Sequence, residues 1–390
     1  MITASLAFSS HFTRFVSLLC ATLLTLFGSA AGAALDAPPP PDIGARSFVL
    51  MDFDSGRIIA EEKAEERLEP ASLTKMMTAY IVLNELQMDK IKLDDEVLIS
   101  EKAWRMPGSR TFVEVGKKVP VETLLKGMIV QSGNDATVAL AEYVAGGEEV
   151  FANLMNRTAE ELGMTASHFV NSTGLPHDDH YTNARDMAAL ARALIRDFPE
   201  HYSWYSIKQF TYNGITQYNR NKLLWQDDSV DGIKTGHTEA AGYCLVSSAK
   251  RDDMRLISVV LGAKSENARA RESQKLLSYG FRFYETHRLY APLEKLTEAR
   301  VWKGASEQLP LGLAAEMYVT IPRGQYDDLN ANMKISPTLT APIEKGKQYG
   351  MLEVSLDGEV LARQALVALQ DIPEGGLFSR LVDEALLLFE

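Results

Sequence analysis

Residues Leu73 to Leu86 are apolar on nearly every face: Met76, Met77, Ala79, Tyr80, Ile81, Val82 and Leu83 would surround any helix drawn through them. Pro70-Ala71-Ser72 supplies a helix-start signal just before the segment. A helix with so little polar face must be covered on all sides, so it belongs in the middle of a domain. It carries Lys75 into that interior, one turn after Ser72.

The flanking sequence supplies the cover. Ser47 to Asp52 and Arg57 to Glu61 read as two strands around Asp54-Ser55-Gly56, a hairpin signal. Helical periodicity runs from Val121 to Val144, from Phe151 to Leu162 and from Asn183 to Arg196, with a polar, turn-rich loop at Asn171 to Thr182. Strand-like stretches follow at Phe210 to Tyr212, Gly232 to Thr235, Gly242 to Lys250 and Met254 to Leu261, then a helix at Arg269 to Tyr284. Helices with an antiparallel sheet drawn from both ends of the region define an α+β domain, placed at residues 46–290.

Beyond it, short alternating stretches separated by Gly and Pro predict a small all-β domain at 291–372: Ala299 to Trp302, Met317 to Ile321, Met333 to Ile335, Gly350 to Leu356 and Glu359 to Val367. Residues 373–390 predict an amphipathic helix. Leu377, Phe378, Leu381, Val382, Ala385, Leu386, Leu388 and Phe389 form its apolar stripe, and Arg380, Asp383 and Glu384 lie opposite. At the other end, an apolar run from Phe15 to Phe27 leads to Ala31-Gly32-Ala33, the pattern of a cleaved secretory signal over 1–33. Residues 34–45, with Pro38 to Pro41, read as an extended linker. Only Cys244 survives such a cleavage, so no internal disulfide is expected, and its apolar surroundings make it a small buried hydrophobe. The formal net charge of -12 argues against a nucleic-acid partner.

Three short motifs carry chemistry: Ser72-Leu-Thr-Lys75, Ser132-Gly-Asn134 and Lys234-Thr235-Gly236. Positions three apart share one face of a helix, so Ser72 and Lys75 can cooperate. The same S-x-x-K spacing at Ser247 to Lys250 lies in a strand-like stretch, where the two side chains face opposite sides. A serine hydroxyl needs a base to become a nucleophile, and a lysine is a base only when neutral. Burial and a second cation, for which Lys234 is the candidate, both disfavour the ammonium form. Ser132 and Asn134 fall between two helical runs, where a loop can aim them into a cleft as proton relay and amide holder. Lys234-Thr235-Gly236 ends a strand, and Gly236 is expected to leave room for a substrate backbone alongside, with Lys234 and Thr235 binding a carboxylate. His177 and His180 in a polar loop are too few for a metal site, and the chemistry requires neither metal nor cofactor.

The ordered trio resembles that of the penicillin-recognising serine enzymes. The fuller strings Pro70-Ala-Ser72-Leu-Thr-Lys75-Met-Met-Thr-Ala-Tyr, Ser132-Gly-Asn134-Asp-Ala, Asp231-Gly-Ile-Lys234-Thr-Gly-His237-Thr and Thr211-Tyr-Asn-Gly-Ile-Thr resemble the low-molecular-mass penicillin-binding proteins, the D-alanyl-D-alanine carboxypeptidases. The resemblance implies a penicillin-binding, serine β-lactamase-like α+β domain followed by a small all-β domain and an amphipathic C-terminal helix. It implies Ser72 as nucleophile, Lys75 as its base, and Ser132 with Lys234 as the proton path to the departing D-alanine. The backbone N–H groups of Ser72 and His237 would form the oxyanion hole. Thr235, Arg220 and Arg269 would surround the substrate carboxylate. The implied partners are peptidoglycan pentapeptide, β-lactam antibiotics and, through the C-terminal helix, the outer face of the cytoplasmic membrane in the periplasm. That helix departs from an interfacial pattern, because its acids oppose an anionic surface, so weaker, salt-dependent attachment is expected.

Three other activities remain open. A D,D-endopeptidase would use the same residues. A β-lactamase needs a deacylating group, and Leu162 to Pro199 contains no glutamate, while Asp186 falls in a helical pattern, so slow deacylation is expected. A non-enzymatic wall-binding scaffold would not need Ser72, Lys75, Ser132 and Lys234 together.

Overall fold

The structure, a computed structural model, describes residues 37–387, so the expected signal segment lies outside the described residues. The part of the proline-rich stretch that is described is tied down rather than free. The Pro38 carbonyl accepts from Tyr279 Oη at 2.7 Å, and Gly44 N–H donates to Glu272 Oε2 at 3.3 Å.

The strand signals at both ends of the α+β region close into one antiparallel sheet in the order Ile58–Glu62, Ser47–Asp52, Met254–Ala263, Gly242–Arg251, Val230–Thr238. Its middle strands are apolar on both faces because helices cover both. Ser47–Asp52 is buried throughout, in register Val49↔Val259, and Leu245 pairs with Val260. The strand Val230–Thr238 ends the sheet and, among the described residues, pairs along one edge, with Gly242–Arg251. It runs further than expected, so Lys234-Thr235-Gly236 lies in its middle rather than at its end. Phe210 to Tyr212 does not join this sheet. Gln209–Tyr212 pairs with Ile215–Tyr218 as a separate hairpin.

The apolar segment forms the helix Lys75–Gln87, preceded by a 3-10 turn at Ala71–Thr74 that carries Ser72. Met76, Met77, Ala79, Ile81, Val82 and Leu83 are all buried, as the all-round pattern requires. Helices Val121–Gln131, Asn134–Ala145, Glu148–Glu161 and Ala184–Asp197 pack around it. Each large side chain so buried contributes roughly 1.5–3 kcal/mol relative to exposure, which is how the domain sustains a buried lysine at its centre.

The second region is all-β. Its main sheet runs Asn330–Ile335, Gln348–Leu356, Glu359–Ala368, Gln308–Leu313, Thr297–Trp302, Leu339–Thr340. Tyr284–Tyr290 pairs with Met317–Pro322. Three of these strands escape sequence reading for local reasons, Leu339–Thr340 because it is only two residues long. Gln308–Leu313 contains Pro310 and Gly312, which signal turns, and Tyr284–Tyr290 is half-buried and charged.

The C-terminal helix spans Leu377–Leu387 and presents its polar side to the small domain. Asp383 is buried there and accepts from Lys303 N–H at 2.5 Å, and Glu384 lies 3.2 Å from Lys303 Nζ. Leu377, Phe378 and Leu381 point outward, 81%, 82% and 67% exposed. No helix among the described residues is long and apolar enough to cross a membrane.

Candidate active site

Three chain segments converge on Ser72. Its 3-10 turn is held from one side by the edge strand. Gly236 packs so closely that an added Cβ would lie 3.0 Å from the Pro70 carbonyl oxygen and 3.2 Å from Ala71 Cβ. The glycine therefore admits the Ser72 turn on this side while it also lines the cleft. From beneath, Gly174 adopts φ +83°, and a Cβ there would fall 1.8 Å from the Ala71 carbonyl oxygen. Ala71 itself has φ +48°, an uncommon conformation for a residue with a Cβ and one that clusters at functional sites.

Lys75 is 1% exposed. Its Nζ lies 3.0 Å from Ser72 Oγ and 2.7 Å from the Thr173 carbonyl oxygen. Burial, and then the positive charge of Arg220, push its amine down from the ordinary 10.5 to about 7, against a smaller opposing pull from Asp135. Arg220 is thus a further cation acting on Lys75 beside Lys234, whose own interaction with Lys75 is reciprocal. Lys234 is itself driven well below the lysine range by burial and by Lys75, Arg220 and Arg269, and its Nζ donates to the Thr235 carbonyl at 3.0 Å.

The polar loop Asn171 to Thr182 is the floor of this arrangement. Asn171 Oδ1 accepts from Gly174 N–H at 2.7 Å, and Thr78 Oγ1 donates to the Ser172 carbonyl at 2.7 Å. His180 Nδ1 accepts from Val170 N–H, so Nε2 carries the proton and donates to Thr74 Oγ1 at 2.8 Å. Burial and two neighbouring histidines hold His180 down to about 4, so it stays neutral. Its sequence neighbour His177 accepts from Asp179 N–H, and the described residues contain no cluster of three or more metal-ligating side chains.

Ser132 caps the helix Val121–Gln131 in a left-handed conformation, φ 67° and ψ 32°. Its Oγ is buried with no hydrogen-bond partner among the described residues. The turn is fixed by Asp135, fully buried, whose carboxylate accepts from the N–H groups of Thr111, Phe112 and Ala136 at 2.8–2.9 Å and of Val113 at 3.2 Å. Asn134 sits beside it, with Nδ2 donating to the Pro107 carbonyl at 2.6 Å. One of its amide hydrogens is therefore already engaged, leaving its carbonyl and the other N–H for a substrate.

Ser72, Ser132, Thr235, Gly236, His237, Arg220 and Arg269 all line one cleft of about 410 Å³. Arg220 and His237 are exposed, whereas Arg269 is buried and donates to the Gly236 carbonyl at 3.0 Å. Lys75, Lys234 and Asn134 stand behind this wall. Gly108, Ser109, Tyr243 and Glu266 complete the lining and were not singled out from sequence, because none belongs to a motif.

A serine hydrogen-bonded to a buried lysine, with a second serine in the same cleft that has no partner among the described residues, is an arrangement suited to acyl transfer. Known proteins agree. Residues 34–265 match the family described as D-alanyl-D-alanine carboxypeptidase, and 284–374 match the C-terminal domain of penicillin-binding protein 5. The chain belongs to the D-alanyl-D-alanine carboxypeptidases. It is 46% identical to the D-alanyl-D-alanine carboxypeptidase DacC of Escherichia coli, over 94% of each chain. It is 43% identical to the carboxypeptidase DacA of the same organism, over 98% of each. Penicillin-binding protein 5 from Haemophilus influenzae, 41% identical, superposes with a TM-score of 0.84 over 86% of this chain and 100% of that one. This carboxypeptidase is accordingly a serine hydrolase of the penicillin-binding type, and the α+β and all-β regions are the two domains of that architecture.

Proposed function

We propose that Ser72 is the acylated nucleophile and that the chain removes the terminal D-alanine of peptidoglycan pentapeptides. The observation that carries this reading is the 3.0 Å contact between Ser72 Oγ and a Lys75 amine held at about 7. With one Lys75 N–H donated to Thr173 O, the amine lone pair is free to accept the Ser72 proton. The Oγ–carbonyl bond forms as that proton moves to Lys75. The peptide C–N bond then breaks as Ser132, backed by Lys234, relays the proton held by Lys75 to the leaving amine, which leaves both Lys75 neutral and Ser132 protonated. Water subsequently cleaves the ester and restores Ser72. The backbone N–H groups of Ser72 and His237 would receive the oxyanion. Thr235, Arg220 and Arg269 would hold the terminal carboxylate, with the substrate lying along the free edge of Val230–Thr238.

Penicillins would enter the same path and stop at the acyl-enzyme. Asp186 spends its Oδ2 on Ala166 N–H and Ser167 Oγ and does not line the cleft, which supports slow deacylation. Incubation with a fluorescent penicillin and a pentapeptide tests this. Stable labelling and D-alanine release by the wild type, both lost in Ser72→Ala, is the expected result. Rapid loss of label would indicate a β-lactamase instead, and neither label nor D-alanine would leave a wall-binding scaffold.

The outward face of Leu377, Phe378 and Leu381 supports peripheral attachment to the outer face of the cytoplasmic membrane. Asp383 and Glu384, which would repel anionic lipid, are turned toward Lys303. An exported, periplasmic location follows from this reading together with the apolar leader.

A further inference from the structure

The cleft beside Ser72 is lined by three cationic or ionisable side chains, Arg220, Arg269 and His237, and by one acid, Glu266. Glu266 opens the helix Glu266–Phe283, where the Ser265 cap leaves helix N–H groups nearby. Its carboxylate lies 3.2 Å from Lys222 Nζ. Burial pushes that carboxyl upward, but the hydrogen bond from Lys222 and the charges of Arg269, Lys222 and Arg220 outweigh it and hold it below its ordinary range. Arg269, 3% exposed, donates to the Gly236 carbonyl, a dipole that does not neutralise its charge. A buried cation needs a counter-charge, and Glu266 is the acid available to it in the cleft lining.

We propose that Glu266 is the resident counter-ion of the carboxylate-binding pocket, balancing Arg220 and Arg269 in the free enzyme and opposing the substrate's own carboxylate when it arrives. The inference rests on the proposal above that these arginines receive that carboxylate. Two like charges competing for one cationic field weaken binding without touching the reacting bond. Glu266 therefore sets how tightly a terminal carboxylate is held, and more weakly how fast the peptide is cut. A first-turn acid in a surface ion pair could stand there for helix stability alone. The decisive readout is one that helix stability does not move.

The experiment measures D-alanine release from a peptide ending in D-Ala-D-Ala, and D-alaninamide release from the same peptide with a C-terminal amide. Wild type, Glu266→Gln and Glu266→Asp are compared. Glu266→Gln should lower KM for the acid by up to about fivefold, the range of half-exposed charge pairs, with a smaller change in kcat. KM for the amide should stay put, Glu266→Asp should restore the wild-type KM, and the acid effect should shrink as salt is raised. An unchanged or higher KM for the acid in Glu266→Gln, while wild type still prefers acid over amide, overturns the counter-ion role alone. An equal fall for acid and amide overturns it too, since the cleft would simply have changed shape. A wild type that treats acid and amide alike would sink the carboxylate reading, and this inference with it.

Discussion

The catalytic cleft and the C-terminal helix break opposite rules of protein stability. The cleft buries ionisable groups: Lys75, Lys234 and Arg269 are each 3% exposed or less. The helix does the reverse, exposing Leu377, Phe378 and Leu381 while burying Asp383. Burying a charge is costly unless it is paired or neutralised, and here two lysines are pushed toward neutrality. Leaving apolar side chains in water forfeits their burial energy. Neither choice serves the stability of the fold, and in the function proposed above the first is where the peptide reacts and the second where the helix meets a membrane surface.

The contrast can be broken at the cleft first. Lys75→Met roughly keeps the volume and removes the proposed base. D-alanine release should fall about 10²–10⁴-fold in kcat/KM, the span of a general base, while the thermal midpoint holds or rises because an ionisable group has left the core. An unchanged rate would remove Lys75 from the mechanism.

Next in size is the floor. Gly174→Ala would drive a Cβ into the Ala71 carbonyl oxygen and strain φ +83°. Denaturant unfolding should show a loss of about 3 kcal/mol, together with slower acylation by penicillin. Full stability in this variant would mean the loop does not support the nucleophile turn.

A finer test is pH. The base acts only when neutral, and Lys75 is protonated below about 7. kcat/KM should therefore drop about tenfold per unit as pH falls below that value and level off above it. Arg220 lowers the lysine, so Arg220→Gln should raise the Lys75 value and move this acid limb to higher pH. A limb that does not move would leave burial and Lys234 as the causes.

The smallest effect on stability belongs to the helix. Replacing Leu377, Phe378 and Leu381 together by Ser should alter unfolding free energy by no more than about 0.5 kcal/mol per site, because they touch solvent. The same variant should lose binding to anionic lipid vesicles. Retained binding, or a marked loss of stability, would mean the stripe packs on protein.

Much of this was legible without coordinates. The all-round apolar pattern of Leu73 to Leu86 determined a buried central helix, and helical spacing determined that Ser72 and Lys75 share a face. Turn and alternation signals determined the order of an α+β and an all-β domain. These are local properties, written in the period of the chain. What the tertiary structure alone decided are contacts across long separations. Lys75 meets the Thr173 carbonyl 98 residues away, and Asp135 gathers N–H groups 22 to 24 residues upstream. Gly236 closes against Pro70, and Glu266 reaches the cleft from a helix that no motif marks. The C-terminal helix shows the same division. Its amphipathic period fixed that it has two faces, but which face meets the protein depended on Lys303 being placed to receive Asp383 and Glu384. Periodicity is set by neighbours along the chain, whereas desolvation, charge pairing and close approach are set by whatever the closed fold brings near.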